Sequence, residues 1–433
     1  MILTYNYIIL MNNTITSNYG KLKDFYDNNL NMDKKTFKTS NDEPTPISCV
    51  EEMVNKLPNK FWEKDNLKIL DPCCGNGNFH AVIYQKLAQH HTPDNILEKT
   101  LYFNDINDLR IQNVENIFQK NIYNLNITKQ DFLEYPESQK FDLVVANPPY
   151  AKLLANGKRA SKNHNLIKPF IEKTLKLLNK NGYLLYITPD NWMSYADRNK
   201  LIEQLTSLNI IYLNIHTAKK YFKKIGSSFT WYLIQNSSSR KQFCVEGIWK
   251  KKIYKSLVKS EKRKYIPLYY NRTIQKILHK TLDTDLPKYK VETSSDLHKY
   301  TKRNLISNVQ DDEHKYRLIH TPSQTVYANR PHKYQDGYKV FISTTTYYKV
   351  FVDNCGMTQS IVFIRCENEE KANQIKKILE HPLYVFLNNI CRYGNFNNIR
   401  ILQSFPVIDS YETLMDELKL TDKEKKFIMK QVK

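Results

Sequence analysis

The sequence is poor in the residues that punctuate or stiffen a chain, with 10 glycines and 16 prolines among 433 residues. That scarcity excludes a collagen-like or low-complexity protein, because both classes need those residues in large numbers. No stretch approaches the roughly eighteen consecutive apolar residues of a membrane-spanning helix. The apolar start, Met1 to Met11, lacks a basic leader and a cleavage site, so no signal peptide is predicted. Met11 and Met32 are alternative candidates for the true start.

Paired cysteines are also missing. The seven cysteines are an odd number and include no Cys-x-x-Cys pair. This excludes a disulfide framework and a zinc signature, and it predicts reduced thiols, a cytoplasmic location and no bound metal. They are Cys49, Cys73, Cys74, Cys244, Cys355, Cys366 and Cys391.

The chain is nevertheless long enough for two or three domains. Hydrophobic residues make up 41% and aromatic residues 12%, which excludes a wholly disordered chain. Lys and Arg number 65 against 44 Asp and Glu, a net charge of +21. Only 12 of the 65 are Arg, and a genome rich in A/T codons is an alternative explanation for part of the Lys excess. A field of this sign still favours polyanions, and nucleic acid is the predicted partner.

Short apolar runs alternate with amphipathic stretches in the first half of the chain. This alternation predicts a parallel, doubly wound α/β sheet. Two later apolar runs, Ile210–Ile215 and Ser228–Ile234, are separated by a short basic loop and predict an antiparallel hairpin at the sheet edge. The earlier predicted strands are Leu67–Leu70, Leu101–Phe103, Phe141–Ala146 and Tyr183–Ile187, with helices over 80–90, 108–119 and 167–178.

Composition divides the chain into three parts. Residues 1–39 have no clear periodicity and are expected to form an extension that lacks regular structure. Residues 40–240 form the α/β domain, and a polar break near 236–241 separates it from a second domain over 245–433. The first 240 residues hold 30 basic and 23 acidic residues, and the remainder hold 35 and 21. The densest basic stretch, Trp249–Lys264, is either a solvated helix face or a contact for a phosphate backbone.

Two features suggest a nucleotide-like cofactor. The segment Asp71-Pro-Cys-Cys-Gly-Asn-Gly-Asn-Phe79 lies between a predicted strand and a predicted helix. Gly75 and Gly77 let the backbone turn sharply and approach a ligand, although an ordinary strand–helix loop would look similar. Asp105, at the end of the next strand, is placed to accept ribose hydroxyls.

Two further segments point to chemistry at the same sheet edge. Asp131-Phe132 could bind the amino group and the face of an adenine, although such dipeptides are common. Val145-Ala-Asn-Pro-Pro-Tyr150 follows a buried strand, and its two prolines hold the Asn147 amide and the Pro148 carbonyl rigidly at the mouth of the sheet.

Asp71–Phe79 followed by Asn147–Tyr150 resembles the gamma group of S-adenosylmethionine-dependent DNA methyltransferases that act on adenine N6. The resemblance covers roughly residues 40–240, although the family more often has Ala where this chain has Cys73. It implies a Rossmann-like, seven-stranded, mostly parallel sheet followed by an α+β DNA-recognition domain. It implies S-adenosylmethionine as the cofactor, held by Thr45, Pro46, Asp71, Pro72, Gly75, Gly77, Phe79, Asp105, Ile106, Asp131, Phe132 and Asn147.

The resemblance also implies the reaction. The Asn147 side-chain oxygen and the Pro148 carbonyl would accept the two hydrogens of the adenine amino group, so that its lone pair points at the methyl group. Tyr150 and Phe222, with Tyr221 as the second choice, would sandwich the base after it is flipped out of the duplex. The expected partners are double-stranded DNA and a cognate restriction endonuclease on a separate chain, and the enzyme is expected to be a monomer.

Other activities remain open at this point. N4-cytosine DNA methyltransferases share the Asn147–Tyr150 loop, and methyltransferases of ribosomal RNA or of protein glutamine carry similar ones. Pro72-Cys73 could suggest a cytosine C5 enzyme, but it lies in the cofactor loop. A catalytically silent DNA-recognition protein is a further alternative, whereas no nuclease motif is evident.

The second domain gives weaker signals. Thr344–Tyr348 is more typical of a plain strand than of a recognition loop. Arg392–Arg400 combines Arg, Asn and aromatic residues, and Arg and Asn can pair with base edges. Short palindromes such as CATG or TGCA are first guesses for the target. The candidate DNA-binding residues are Lys250, Lys251, Lys252, Arg263, Arg392, Tyr393, Asn395 and Arg400.

Overall fold

The structure, a computed structural model, describes residues 14–32, 43–150, 166–196, 200–223, 226 and 228–432. These residues form two compact units. The first contains residues up to Pro189 and Glu203–Lys262, and the second contains Asp190–Ile202 and Arg263–Lys433.

A nine-stranded sheet forms the centre of the first unit, in the order β3-β2-β1-β4-β5-β7-β6-β8-β9. Five of its eight strand pairings are parallel, which confirms the predicted α/β class. The strands are β1 (Ile69–Asp71), β2 (Leu101–Asn104), β3 (Asn126–Thr128), β4 (Phe141–Ala146), β5 (Leu178–Pro189), β6 (Leu208–Ile215), β7 (Phe229–Ser238), β8 (Gln242–Trp249) and β9 (Lys252–Lys259).

The antiparallel pairing of β6 with β7 is confirmed, but the expected edge position is wrong. β7 inserts between β5 and β6, and β8 then pairs in parallel with the free side of β6. The sheet therefore has nine strands rather than seven, and the boundary expected near residue 240 falls inside it. Most of the basic stretch Trp249–Lys264 forms the turn and second strand of the β8–β9 hairpin, not a helix.

Helices flank this sheet, and those predicted over 80–90, 108–119 and 167–178 are present. They are α1 (Tyr19–Asn28), α2 (Ile47–Val54), α3 (Asn59–Trp62), α4 (Asn78–Leu87), α5 (Asp108–Ile117) and α6 (Ile167–Leu177), and α7 (Leu201–Ser207) follows β5 in the chain. Helix α1 corrects the expectation that residues 1–39 lack regular structure. The Asn18 side chain caps its start, and Leu22, Phe25 and Tyr26 are buried in the core.

The second unit combines helices with two small sheets, in agreement with the predicted α+β composition. One sheet has four strands, β10 (Ile306–Ser307), β11 (Tyr316–Thr321), β12 (Gln324–Ala328) and β15 (Gly356–Met357). The other has three, β13 (Lys339–Ser343), β14 (Val350–Asp353) and β16 (Ile361–Arg365). Its helices are α8 (Arg272–Lys280), α9 (Glu369–Leu379), α10 (Pro382–Ile390), α11 (Ile399–Leu402), α12 (Leu414–Glu417) and α13 (Asp422–Val432).

The segment Thr344–Tyr348 is a loop between β13 and β14, so the expected strand is wrong there. The Asn397 side chain donates to the carbonyls of Ser343 and Thr346, and the Thr344 carbonyl accepts from the Asn397 backbone N–H. These bonds take the place of the ladder bonds that a strand would make.

Among the described helices, none combines the length and apolar character needed to cross a bilayer. Within the same residues, no cluster of His, Cys, Asp and Glu is arranged to hold a metal ion. All seven cysteines are free thiols.

Candidate functional site

Three parallel strands end at one edge of the first unit's sheet and build a pocket there. Asp71 is the last residue of β1, Asn104 ends β2 and Ala146 ends β4. Because β1 lies between the other two strands, the loops that follow all three are neighbours. The pocket is lined by Glu43, Pro44, Thr45, Asp71, Cys73, Cys74, Gly75, Asn76, Asn78, Phe79, Arg110 and Asn147.

The glycine loop after β1 is tightly folded. Gly77 has φ +84° and caps the start of α4. A Cβ at this position would come within 2.6 Å of the Phe118 ring, so the position requires glycine. The Cys74 N–H donates to the Asn104 carbonyl at 2.9 Å, which ties the loop to the end of β2. The predicted cofactor loop is thus fixed at the pocket.

Asp105 fastens this loop from the β2 side. Its carboxylate is buried and accepts from the backbone N–H groups of Gly75 and Asn107, each at 2.9 Å. The buried Arg110 guanidinium lies 3.6 Å from the same carboxylate and also lines the pocket. Sequence reasoning missed Arg110, whose only signal is its position five residues after Asp105.

Asp71 is a second buried carboxyl at the floor of the pocket. Burial raises its pKa well above the usual range, while the N–H that the Cys73 backbone donates to it acts in the opposite direction. The negative charge of Asp105 raises the pKa further. Pro72, the next residue, accepts at its carbonyl from the Asn104 side chain, so the two strand ends are bonded together.

Thr45 closes the opposite side of the pocket. It is only 4% exposed, and its hydroxyl has no hydrogen-bond partner in the described structure. Its carbonyl accepts from the Asn78 side chain at 2.8 Å, and Pro46 caps the start of α2. A buried polar atom left unsatisfied beside a pocket fits a site that binds a polar ligand.

Asn147 stands at the rim of this pocket, directly after β4. Its Nδ2 donates to the Glu43 carbonyl at 2.8 Å, and its Oδ1 accepts from the Tyr150 hydroxyl at 2.6 Å. The two rigid prolines thus bring the amide beside the glycine loop, where the Cys73 thiol lies 3.6 Å from the Asn147 carbonyl. Asn147 Oδ1, which the sequence predicts to accept a hydrogen of the substrate amino group, is thus occupied by the Tyr150 hydroxyl.

An aromatic cluster adjoins Tyr150. The Tyr150 ring centroid lies 6.2 Å from that of Phe229, which in turn lies 4.6 Å from Phe222. Phe222 and Phe229 are both buried, so neither ring face is open in this structure. Sequence reasoning named Phe222 and missed Phe229, the first residue of β7.

Five of the twelve predicted cofactor residues line the pocket, namely Thr45, Asp71, Gly75, Phe79 and Asn147. The other seven are not among the lining residues: Pro46, Pro72, Gly77, Asp105, Ile106, Asp131 and Phe132. Ile106 is 69% exposed in the loop that follows β2. The Asp131 side chain accepts from the Leu133 N–H, and the buried Phe132 ring packs 5.1 Å from that of Phe170. Asp131 therefore caps a short helical turn here.

The predicted DNA-binding lysines lie at the turn of the β8–β9 hairpin. Lys250, Lys251 and Lys252 are exposed, and the first two have φ of +47° and +64°. Two consecutive left-handed residues form the tight turn that suits a two-residue hairpin loop. The structure therefore places these charges in the first unit, not in the second as the sequence suggested.

Arg263 and Tyr393 of the second unit are not at the surface, which corrects the expectation for both. Arg263 is buried and pairs with Asp283 at 3.0 Å. The buried Tyr393 hydroxyl donates to the Ile266 carbonyl at 2.6 Å. Both polar side chains therefore make bonds inside the second unit instead of facing solvent.

The other candidates gather where two loops of the second unit meet, 344–349 and 392–398, which we call the loop pair. The Arg392 guanidinium donates to the carbonyls of Thr346 and Asn395 and lies over the Tyr347 ring at 5.0 Å. Arg392 therefore joins the loops rather than pointing away from them. Asn395 and, beyond the pair, Arg400 are exposed, as are the rings of Tyr347 and Phe396, which sequence reasoning did not single out.

The sheet, the glycine loop and the rim asparagine together define an α/β domain with a ligand pocket at the carboxyl ends of its parallel strands. Residues 10–222 match the Eco57I restriction-modification methylase family. Over 164 residues the chain is 28% identical to the type II methyltransferase M.VspI of Vibrio sp. (strain 343). That alignment covers 35% of this chain and 38% of the relative, so the chain spans well under half of the curated protein it matches.

Two solved structures have a similar fold over most of the chain. One is a nuclease-deletion mutant of the Type ISP restriction-modification enzyme LlaGI with a DNA substrate mimic: 13% identity, TM-score 0.58, 91% of this chain and 55% of that one. The other is the Type IIL restriction-modification enzyme MmeI with DNA: 10% identity, TM-score 0.55, 96% of this chain and 77% of that one. At such low identity the similarity establishes the fold.

Proposed function

We propose that this chain is a DNA methyltransferase that transfers a methyl group from S-adenosylmethionine to adenine N6 in a short double-stranded sequence. It would serve as the modification enzyme of a restriction–modification system. The observation that carries the proposal is the position of Asn147, at the rim of the pocket that the glycine loop builds. The match of residues 10–222 to a restriction-modification methylase family supports the coarser part of the proposal, a methylase of such a system.

The pocket residues fit the cofactor. S-adenosylmethionine supplies the electrophilic methyl group. Gly75 leaves backbone space for it, Gly77 lets the loop turn into the following helix, and the unsatisfied Thr45 hydroxyl offers a hydrogen bond. Asp105 holds the loop and is the proposed partner of the ribose hydroxyls, and Ile106, Asp131 and Phe132 are the proposed contacts of the adenine ring.

The chain's own contribution to the reaction is positioning and polarisation. Asn147 Oδ1 and the Pro148 carbonyl accept the two amino hydrogens, which draws the nitrogen towards a tetrahedral geometry and directs its lone pair. Since Tyr150 now donates to Asn147 Oδ1, its hydroxyl must leave that oxygen before an amino group can bind. The Tyr150 ring would then stack on the flipped base, with Phe222 as the proposed second wall.

DNA recognition is proposed to use exposed groups of both units. Lys250, Lys251 and Lys252 would contact phosphates, as basic side chains on a turn can do without reading sequence. Asn395 and Arg400 are the proposed base contacts in the second unit. The enzyme would act as a monomer, with the cognate endonuclease on a separate chain.

The test is transfer of label from the cofactor to DNA, followed by digestion to nucleosides and chromatography. Label in N6-methyladenine is expected. The variant Asn147→Ala should lower the rate of transfer by a factor of about 10² or more, because it removes an interaction that strengthens in the transition state. Its affinities for cofactor and DNA should stay close to those of the parent.

Asn124→Ala, which changes an exposed asparagine outside the pocket, is the matched control and should keep full activity. Label in N4-methylcytosine would instead show an N4-cytosine DNA methyltransferase, a class of enzyme that shares the Asn147–Tyr150 loop. Label that appears only with RNA or protein substrates would refute a DNA methyltransferase.

A further inference from the structure

The described N-terminal segment, residues 14–32, packs directly against the glycine loop although it lies outside every motif of the site. We call it the N-terminal brace. The Ile15 N–H donates to the Ile117 carbonyl at 2.8 Å, which fixes the start of the brace to the end of α5. Helix α1 then carries Tyr26 beneath the loop.

Tyr26 is completely buried, and its hydroxyl donates to the Asn76 carbonyl at 2.8 Å. Asn76 is the residue between Gly75 and Gly77. The same hydroxyl lies 3.5 Å from the point where a Cβ at Gly77 would stand. Burial raises the pKa of Tyr26 well above its usual range, so the phenol remains a donor to this carbonyl.

Two asparagines of the loop extend the connection. Asn78 Nδ2 donates both to Asn31 Oδ1 at 3.0 Å and to the Thr45 carbonyl at 2.8 Å. Asn76 Nδ2 donates to the Leu30 carbonyl at 3.5 Å. The brace is therefore bonded to the loop at three points, and through Asn78 it is linked to the Thr45 side of the pocket.

We propose that Tyr26 is a positioning residue of the cofactor site: its hydroxyl holds the Asn76 carbonyl so that the glycine loop is already in its binding conformation before the cofactor arrives. The inference rests on the proposed function, because the ligand is taken to be S-adenosylmethionine. A loop with two glycines at positive φ has many alternative conformations, and restricting them beforehand raises affinity without adding a ligand contact.

The test compares Tyr26→Phe with Tyr19→Phe in the full chain. Tyr19 is on the same helix, but its hydroxyl donates to Glu51 rather than to the loop. Calorimetric titration with S-adenosylmethionine should give a Kd that is about 3- to 10-fold higher for Tyr26→Phe and unchanged for Tyr19→Phe. Asn31→Ala, which removes the bond to Asn78, should raise the Kd in the same direction.

Steady-state kinetics separates positioning from general destabilisation. Tyr26→Phe should raise KM for S-adenosylmethionine while kcat at saturating cofactor stays that of the parent, and the Tm without ligand should change little. Parent-like Kd and KM in Tyr26→Phe would overturn the inference and leave the proposed function standing. A parent chain that binds no S-adenosylmethionine would overturn both.

Discussion

The pocket edge of the first unit and the loop pair of the second unit use polar residues in opposite ways. At the pocket edge, the side chains of Asn76, Asn78 and Asp105 are buried, since the residues are at most 4% exposed, and each bonds to a backbone group. In the loop pair, Tyr347 is 83% and Phe396 is 57% exposed. Arg392 there donates to carbonyls of both loops and so holds them together. The identity of a buried polar residue is set by the backbone group to which it bonds. The identity of an exposed residue on a loop is instead set mainly by the partner that it contacts.

The largest effect that would sharpen this contrast is a loss of stability in Arg263→Ala. It removes a buried guanidinium that pairs with Asp283, whose side chain is 28% exposed, and that also donates to the Tyr265 carbonyl. We expect a loss of about 3 kcal/mol in the free energy of unfolding, because charged hydrogen bonds and the packing of a buried side chain are both lost. Thermal denaturation should show a Tm lower by roughly 6–12 °C for a unit of this size.

Arg303→Ala, which changes an exposed arginine of the same unit, is the control and should leave the Tm unchanged. If Arg263→Ala kept the Tm of the parent but weakened the salt dependence of DNA binding, the original prediction that Arg263 contacts a DNA phosphate would be supported instead.

Asp105→Asn tests the pocket edge with nearly the same shape. The amide cannot accept at both positions, so the N–H of Gly75 or Asn107 loses a charged acceptor and Arg110 loses its counter-charge. Cofactor Kd should rise about 10- to 100-fold, since hydrogen bonds to charged groups contribute about 1.5–3 kcal/mol. Calorimetry measures the change.

Asp108→Asn is the matched control, because Asp108 is an exposed carboxylate paired with Lys129. Equal cofactor affinities for the two variants would remove Asp105 from the cofactor site.

Tyr150→Phe should have a smaller effect in the favourable direction. It keeps the ring but frees Asn147 Oδ1 from the Tyr150 hydroxyl. The ratio kcat/KM for DNA should rise by up to about 5-fold, the scale of one neutral hydrogen bond. Tyr150→Ala, which also removes the stacking surface, should instead lose about 10-fold or more. Equal losses in both variants would show that the hydroxyl takes part in the reaction.

A pH effect on stability tests the buried polar groups of the second unit. Burial lowers the pKa of His332 in the second unit to about 4, against about 6.5 in an unfolded chain. The neutral ring accepts from the Tyr334 N–H at Nδ1 and bonds Ser294 at Nε2. Between pH 6.5 and 4 the unfolded chain binds a proton that the folded chain does not, so this stability is complete above pH 6.5 and is lost as pH falls.

Denaturant unfolding at pH 7 and pH 5 should therefore show a contribution of roughly 1–2 kcal/mol from His332. His332→Gln should reduce the pH dependence, and His90→Gln, at an exposed position, should preserve it. An unchanged pH dependence in His332→Gln would mean that other groups control acid stability.

The sequence predicted the central sheet because buried parallel strands have continuous apolar runs, as in Phe141–Ala146. It missed the β8–β9 hairpin because the turn residues are Lys250 and Lys251, which lack the Asn-Gly signal of such turns. It missed α1 because ten residues without a strong apolar stripe resemble a polar extension.

At the pocket, the glycine loop and Asn147 could be read from the sequence because strand ends and backbone turns demand those residue types. Tyr26 and Phe229 could not, since their roles arise from contacts between segments that are distant in the chain. Arg110 is close to Asp105 in the sequence, but only the fold shows that its guanidinium lies beside that carboxylate. The same reason explains Arg263: only the fold shows that Asp283 lies beside it.

The order of segments along the chain has a consequence for exchanging specificity between relatives. The chain passes between the two units three times, after Pro189, after Ile202 and after Lys262. Residues of the short inserted piece make contacts inside the second unit: the Met193 carbonyl accepts from Ile266, and the Tyr195 carbonyl accepts from Asn398. A graft that replaced only residues 263–433 would leave the original residues 190–202 in contact with a new sequence. A working chimera must therefore exchange residues 190–202 together with residues 263–433.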